Sequence, residues 1–516
     1  MSAPLLVLTP LAIEARAVAS GLGVRPLSGA AAALDRAGGP AVVRAGMGPA
    51  AAARCVGTLV AKVSGPVVVA GVAGHLGQGA WPGDVVVADR VVDAGGRVVA
   101  GPLASAPLLA GALARAGLRV KVGPVASVEG VVRGGNARRA LAERGALAVD
   151  MESACLAGAG WAGPVAVVRV VVDTPERELV SMATIGGGRA ALATLRRMGP
   201  VLSTWASAAG ARRVVLAGPR SFCAGVERAV TTVERALDRF GAPVYVRRQI
   251  VHNAHVVADL EGRGAVFVTE LDQVPSGATV VLSAHGVAPR VRAEAGERGL
   301  RVIDATCPLV AKVHREVRRF SAAGYQVVLV GHRGHDEVEG TLGEDPGIAL
   351  VETPADVAGL APGDPSMVAY TTQTTLATDE AAEVVAALAG RFPGLVGPAA
   401  GDICYATQNR QDALRAIAGQ VDLVLVVGSA NSSNTTRLAE VARRAGTPAE
   451  VIEDSSALKL ESLVGARCVG LTAGASAPDA LVSGVLGALS GLGPVEVANH
   501  DVTTETVRFS LPPEVR

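Results

Sequence analysis

At 516 residues with a net charge of +1, the chain is too long for one core, and it carries no basic stripe that would suit nucleic acid or an acidic surface. Half of its residues are hydrophobic, but much of that is Ala and Val, aromatics reach only 3%, and no uninterrupted apolar run is long enough to span a membrane. The six cysteines include no CxxC pair, so sparse thiols in a reducing cytosol are expected rather than a disulfide framework, and the protein reads as cytoplasmic.

The first segment, MSAPLLVLTPLAIEARAV, lacks the basic start of a signal peptide. It reads as a buried strand running into a helix that carries Glu14. From there to about residue 200, short Val-rich strands alternate with Ala-rich helical stretches, which predicts an α/β fold with a largely parallel sheet. Four features stand out: the turn RAGMGPAAAA, the segment AGVAGHLGQGAWPGDVVV, Glu152 in AVDMESA, and Asp173 closing VAVVRVVVD. Gly-rich turns are commonly only turns, and a lone carboxylate is commonly solvated or capping. A carboxylate at a strand end is also a candidate catalytic acid. The small-residue stretch MGPVLSTWASAAGARR shows no strand pattern and reads as a linker, which sets domains at 1–205 and 213–516.

From Arg213 the alternation of strands and helices resumes, with a weak threefold repeat. Three times a strand or loop leads to a cysteine that opens an amphipathic helix: Cys223 in SFCAGVERA, Cys307 in DATCPLVAKVH and Cys404 in DICYATQNRQ. A helix N-terminus favours thiolate, and three converging thiolates could hold a metal or cluster with one open position. Three buried structural cysteines are the plainer reading. Cys468 lies in an apolar strand without that context.

Histidines 252, 285, 332 and 335 lie at expected strand ends, where α/β proteins bind ligands, whereas His255 and His314 read as structural. The polar clusters TTQTTL, GSANSSNTTR and TAGASAPD offer hydroxyls, amides and backbone N–H groups suited to phosphate oxygens. With no P-loop lysine and no dinucleotide-binding glycine fingerprint, they suggest a small phosphate ester.

In order, SFCAGVERA, VHNAHVV, LSAHGV, DATCPLVAKVH, GHRGHDEVEGT, TTQTTL, DICYATQNRQ, GSANSSNTTRLAE and TAGASAPD resemble the 4-hydroxy-3-methylbut-2-enyl diphosphate reductase family over about residues 213–512. The resemblance implies a three-lobed α/β reductase around a 4Fe–4S cluster held by Cys223, Cys307 and Cys404, with the unliganded iron binding the substrate hydroxyl. It implies that His252, His285, His335, Ser432, Ser433, Asn434 and Ser476 bind the substrate, mostly at its diphosphate. It assigns proton relay to Glu337 and a place near the hydroxyl to Thr374. The implied products are isopentenyl and dimethylallyl diphosphate, and the electrons come from an external carrier such as ferredoxin or flavodoxin. One departure is Asp336, where the family usually has Pro; it is expected to affect loop rigidity rather than chemistry.

The first half resembles the purine nucleoside phosphorylase and nucleosidase superfamily, closest to its hopanoid-associated group. By that resemblance Glu152 binds ribose hydroxyls, Asp173 protonates the purine N7 and Glu14 activates water. Asp150 replaces the commoner Glu, Val172 stands where Ser is frequent, and Val131 falls near an expected aromatic. Two readings stay open: cleavage of an N-glycosidic bond, or an inactive oligomerisation or regulatory module. For the whole protein, an iron–sulfur redox sensor has no need of Glu337, and a zinc hydrolase lacks HExxH or short-spaced ligands.

Overall fold

A computed structural model describes residues 4–27, 39–176 and 183–516. They form two compact units: Met1–Arg213 with Asp454–Arg467 and Ser483–Glu496, and Val214–Glu453 with Cys468–Val482 and Val497–Arg516. The grouping of the two short later segments with the first unit has no signal in the local sequence pattern. Among the described residues, no helix is long and apolar enough to cross a membrane.

The first unit holds an eight-stranded sheet. Leu6–Thr9 pairs in parallel with Ala41–Arg44 and with Val67–His75. Five strands then pair in a closed cycle: Val67–His75, Ala148–Asp150, Val120–Ser127, Val85–Val92 and Val165–Asp173. The closure brings antiparallel pairs into a largely parallel sheet, because Ala148–Asp150 runs against Val67–His75 and Val165–Asp173 against Val85–Val92; the eighth strand, Val98–Ala100, adds another antiparallel pair on Val85–Val92. The strands are near-continuous Val and Ala because most of their residues are buried on both faces. Gly71 admits no side chain: a Cβ there would come within 2.5 Å of Arg169 Nη1 and 3.0 Å of Glu14 Oε1.

The stretch expected to be a linker is helical. Ala183–Ala208 is one 26-residue helix that continues through Pro200. Leu195, Met198, Leu202 and Trp205 recur at helical spacing and are all fully buried. The small residues serve close packing on the helix Ala12–Leu22. A Cβ on Gly199 would meet the carbonyl oxygen of Gly21 at 2.5 Å, and one on Gly21 would meet that of Arg196 at 2.0 Å. Small residues that pack two backbones together look, in sequence, like a loop.

The second unit contains three sheets. One has the order Ala265–Val268, Val244–Arg247, Thr279–Leu282, Arg301–Asp304, all parallel. The next has Ala349–Val351, Gln326–Val330, Val368–Thr372, again parallel. The third has Ala449–Ile452, Leu423–Val427, Cys468–Ala473, Arg212–Gly218, Val495–Asp501. Each has its own apolar core. The three cysteine-headed helices are Ala224–Phe240, Pro308–Ala322 and Tyr405–Ala418. Each begins where the chain has left one sheet and is about to build the next. That placement is why three cysteines so far apart in sequence reach one place.

Candidate functional site

In the second unit one cavity is lined by Cys223, Cys307 and Cys404, by His252, His285 and His335, by Glu337 and Thr374, and by Ser432, Ser433, Asn434 and Ser476. Every residue that the family resemblance assigns to this site lines that cavity; His332, the fourth strand-end histidine, does not, and its Nε2 lies 3.4 Å from Glu380. Cys468 opens the strand Cys468–Ala473 and is not among the lining residues.

Each of the three cysteines is the N-cap of its helix. Gly225 lets two of them approach: a Cβ there would sit 2.7 Å from Cys307 Sγ and 3.8 Å from Cys223 Sγ. Cys404 Sγ lies 3.0 Å from Thr407 Oγ1 and accepts the Thr407 N–H. A helix N-terminus alone does not make Cys307 or Cys404 a thiolate. Burial, with the neighbouring sulfurs adding to it, pushes Cys307 up to about 12 and Cys404 up to about 11. Desolvation outweighs the helix dipole and the backbone N–H groups. All three are free thiols. Soft donors crowded on one point, with Cys307 and Cys404 disfavoured as lone anions, suit a cationic iron–sulfur core that would relieve both burial and repulsion.

Glu337 is 2% exposed, and both its oxygens accept hydrogen bonds from Thr374, the backbone N–H at 2.7 Å and Oγ1 at 3.0 Å. Burial nevertheless pushes its carboxyl up to about 7. The loop before its helix is pinned by His335, whose Nδ1 caps Asp336–Leu342 by accepting the Glu337 N–H at 3.1 Å. That bond leaves the ring proton on Nε2. His252 and His285 stack with centroids 4.1 Å apart, and His335 sits edge-on to both at 5.4 and 5.8 Å. Burial lowers all three, against the pull of Asp336 at His252, and repulsion from neighbouring rings adds to it at His335, down to about 4, and at His285, well below the usual imidazole range.

Opposite them, Ser432 caps the helix Ser433–Arg444. Its hydroxyl stands 3.4 Å from that of Ser476, which donates to the His252 carbonyl at 3.0 Å. Asn434 Oδ1 accepts the Ala475 N–H at 2.9 Å, and Ser433 Oγ lies 3.0 Å from Thr375 Oγ1. Hydroxyls, an amide and a helix N-terminus together form a place for phosphate oxygens.

The sequence motifs did not indicate Arg248, whose guanidinium bonds Asp336, Glu339 and Glu270. Asp336 Oδ2 lies 4.0 Å from His252 Nε2 and 3.9 Å from His285 Nδ1. Its departure from the family residue therefore changes charge beside the histidines, and is not confined to backbone stiffness.

The first unit has a cavity lined by Glu14, Glu152 and Asp173 together with Met47, Val131, Arg138 and Asp150. Glu14 accepts the N–H groups of Leu11 at 2.7 Å and Val72 at 2.8 Å, and Glu152 accepts that of Gly48 at 2.7 Å. Burial raises both carboxyls, and the Arg169 cation opposes it. Asp173 ends its strand as expected, but burial does not act on it alone, because the buried Arg138 guanidinium is bonded to it. Asp150 pairs with the fully buried Arg169. Arg169 was visible as a lone charge inside VAVVRVVVD; Arg138 had no signal. Val131 is 54% exposed at the cavity's edge, and among the described residues no aromatic lines that cavity.

Residues 36–197 match the Phosphorylase superfamily, so the first unit carries a domain of that superfamily. Residues 214–490 match the family described as LytB protein. The chain is 56% identical over 324 residues to 4-hydroxy-3-methylbut-2-enyl diphosphate reductase 2 of Mycobacterium bovis, covering 62% of this chain and 98% of that protein. It is 58% identical over 300 residues to the 4-hydroxy-3-methylbut-2-enyl diphosphate reductase of Bordetella pertussis, covering 58% of this chain and 92% of the relative. The solved E-1-hydroxy-2-methyl-but-2-enyl-4-diphosphate reductase of Plasmodium falciparum is 36% identical, with a TM-score of 0.57 over 59% of this chain and 97% of its own. With more than half its length matched, this chain belongs to the LytB protein family.

Proposed function

We infer that the chain reduces 4-hydroxy-3-methylbut-2-enyl diphosphate in the cytoplasm, replacing the allylic hydroxyl by hydrogen to give isopentenyl and dimethylallyl diphosphate. The observation that carries the site reading is the meeting of three thiols, a buried carboxyl near neutrality and a phosphate-ready polar wall around one cavity. A 4Fe–4S cluster held by Cys223, Cys307 and Cys404 would supply the electrons and a Lewis-acidic iron for the hydroxyl oxygen. Ser432, Ser433, Asn434 and Ser476 hold the diphosphate at the helix N-terminus, and His252 and His285 close on it from the other side. The dianionic ligand would draw protons onto rings that burial keeps neutral. Glu337 holds a proton near pH 7; in that acid form it donates to Thr374 Oγ1, 3.0 Å away, and the threonine's own hydroxyl proton turns from the carboxyl toward the departing hydroxyl. The overall change takes two electrons and two protons and releases water, so the electrons come from an external one-electron carrier such as ferredoxin or flavodoxin.

The test is anaerobic turnover of the full chain with a chemical reductant, alongside Cys307→Ser. Product from the wild type, and loss of both iron and product in the variant, is the expected result. Full iron in Cys307→Ser would overturn the ligand set.

A second activity is favoured by one observation: Glu14, Glu152 and Asp173 share a cavity in the first unit. We read it as a site for N-glycosidic bond cleavage in a purine nucleoside. Free adenine released from 5′-substituted adenosines, and abolished by Asp173→Asn, would support it. No release from any of them would leave this unit a structural module.

A further inference from the structure

The histidine cluster of the second unit contains a set of donors that its role toward a diphosphate does not require. His252 Nδ1 lies 3.1 Å from Gln249 Oε1, and the same oxygen accepts from Asn431 Nδ2 at 2.9 Å. Gln249 Oε1 is thus an acceptor, so the ring proton sits on Nδ1 and Nε2 presents its lone pair. That lone pair faces Asp336 Oδ2 at 4.0 Å. His285 Nδ1 is buried, has no hydrogen-bond partner, and lies 3.9 Å from the same oxygen. Asp336 keeps its other oxygen on Arg248. The three donor atoms all lie within 4.8 Å of one another.

We propose that His252 Nε2, His285 Nδ1 and Asp336 form a second metal site, which takes a divalent transition ion such as Zn2+ and withdraws both rings from the diphosphate.

Two imidazole nitrogens and one carboxylate are donors for Zn2+ or Fe2+ rather than for Mg2+ or Ca2+. Ligand bonds of about 2.0–2.2 Å in a tetrahedral shell place donors about 3.4 Å apart. Two of the three pairs, at 3.9 and 4.0 Å, need to close by about half an ångström, the third lies within 4.8 Å, and the stacked rings must turn so that each aims its lone pair at the ion. The Gln249 bond to the far nitrogen of His252 is the outer contact that fixes the tautomer of a ligating histidine. The three donors come from three separate segments, so the site exists only in the folded unit. His335 stays outside it, because its Nδ1 already accepts the Glu337 N–H. The fourth position is left to water or another ligand. Ion binding itself rests on these atoms alone; the inhibitory consequence rests on the reading that both rings bind the diphosphate.

The cluster-loaded full chain is dialysed against Zn2+, and zinc and iron are counted per chain, for wild type, Asp336→Asn and Gln249→Met. The expected result is one Zn2+ per wild-type chain with iron and the cluster absorption unchanged. Affinity should fall at least tenfold in Asp336→Asn and about tenfold in Gln249→Met, the usual loss for an outer-contact residue. Zn2+ should raise the KM for the diphosphate in the wild type and not in Asp336→Asn. Equal zinc affinity in wild type and Asp336→Asn, or zinc uptake only with loss of iron, overturns the site. Stoichiometric zinc lost in Asp336→Asn, but with an unchanged KM, would support the ion site and overturn the assignment of the two rings to the diphosphate.

Discussion

The two cavities handle buried charge in opposite ways. In the first unit, Asp173 is bonded to Arg138, Asp150 to Arg169, and Glu14 and Glu152 to backbone N–H groups. In the second, three thiols, three imidazoles and Glu337 crowd one space, and most of them are held in their uncharged forms by burial. The Glu337 carboxyl is held by Thr374, and Asp336 is the carboxylate beside them that a guanidinium neutralises, that of Arg248. A cavity that balances its own charges has bound its functional groups into the fold. A cavity of neutral, titratable groups is tuned to have its charge set by what it binds. Damage should therefore cost stability along with any chemistry in the first, and chemistry with little stability in the second.

The largest effect expected from this contrast is structural. Asp150→Ala leaves Arg169, with no exposed side-chain surface, without its anion. Breaking one side of such a pair costs about 3–5 kcal/mol. Hydrogen exchange of the amides in Val165–Asp173 measures it, and a loss below about 1 kcal/mol would mean that Arg169 finds another partner. Next comes Glu337→Gln, which removes the proton donor while keeping the shape of the side chain. It should lower kcat about 10²-fold, or about 2.7 kcal/mol of barrier, with KM changed only a few-fold. The pH profile sharpens this. Burial raises Glu337 to about 7, so its acid form is full below that pH and is lost as pH rises through it. Wild-type kcat should fall above about pH 7, and the variant's residual rate should be flat there. An equal slope in both would remove Glu337 from the step. The smallest effect on stability is expected at His285→Asn. The ring is neutral and its buried Nδ1 makes no hydrogen bond. Hydrogen exchange in the strand Thr279–Leu282 should change by less than about 1 kcal/mol while KM rises. A loss as large as that of Asp150→Ala would make His285 a structural residue and erase the contrast.

Much of the second unit could be read directly from the chain. Cys223, Cys307 and Cys404 head helices whose apolar spacing is strong, and the histidine and Ser/Thr motifs stand at loops that follow strands. Short-range rules govern those features: helix period, capping and turn chemistry. The thiolate expectation used only the local dipole, whereas burial, which pushes the Cys307 and Cys404 thiols up, depends on everything packed around the sulfur. The linker expectation failed because Gly199 and Gly21 are small for the sake of a helix–helix approach between segments about 180 residues apart.

The sequence by itself determined two α/β regions, the order of the chemistry-bearing motifs, and the three helix-heading cysteines. Periodicity and capping act within a few residues and survive in a linear reading. Only the tertiary structure decided that Arg248 would hold Asp336 across 88 positions, that Arg138 would hold Asp173 across 35, and that Asp336 would face two histidines from other segments. Charge pairing depends on separation in space, and that separation exists only once the crossovers between strands have brought the segments together.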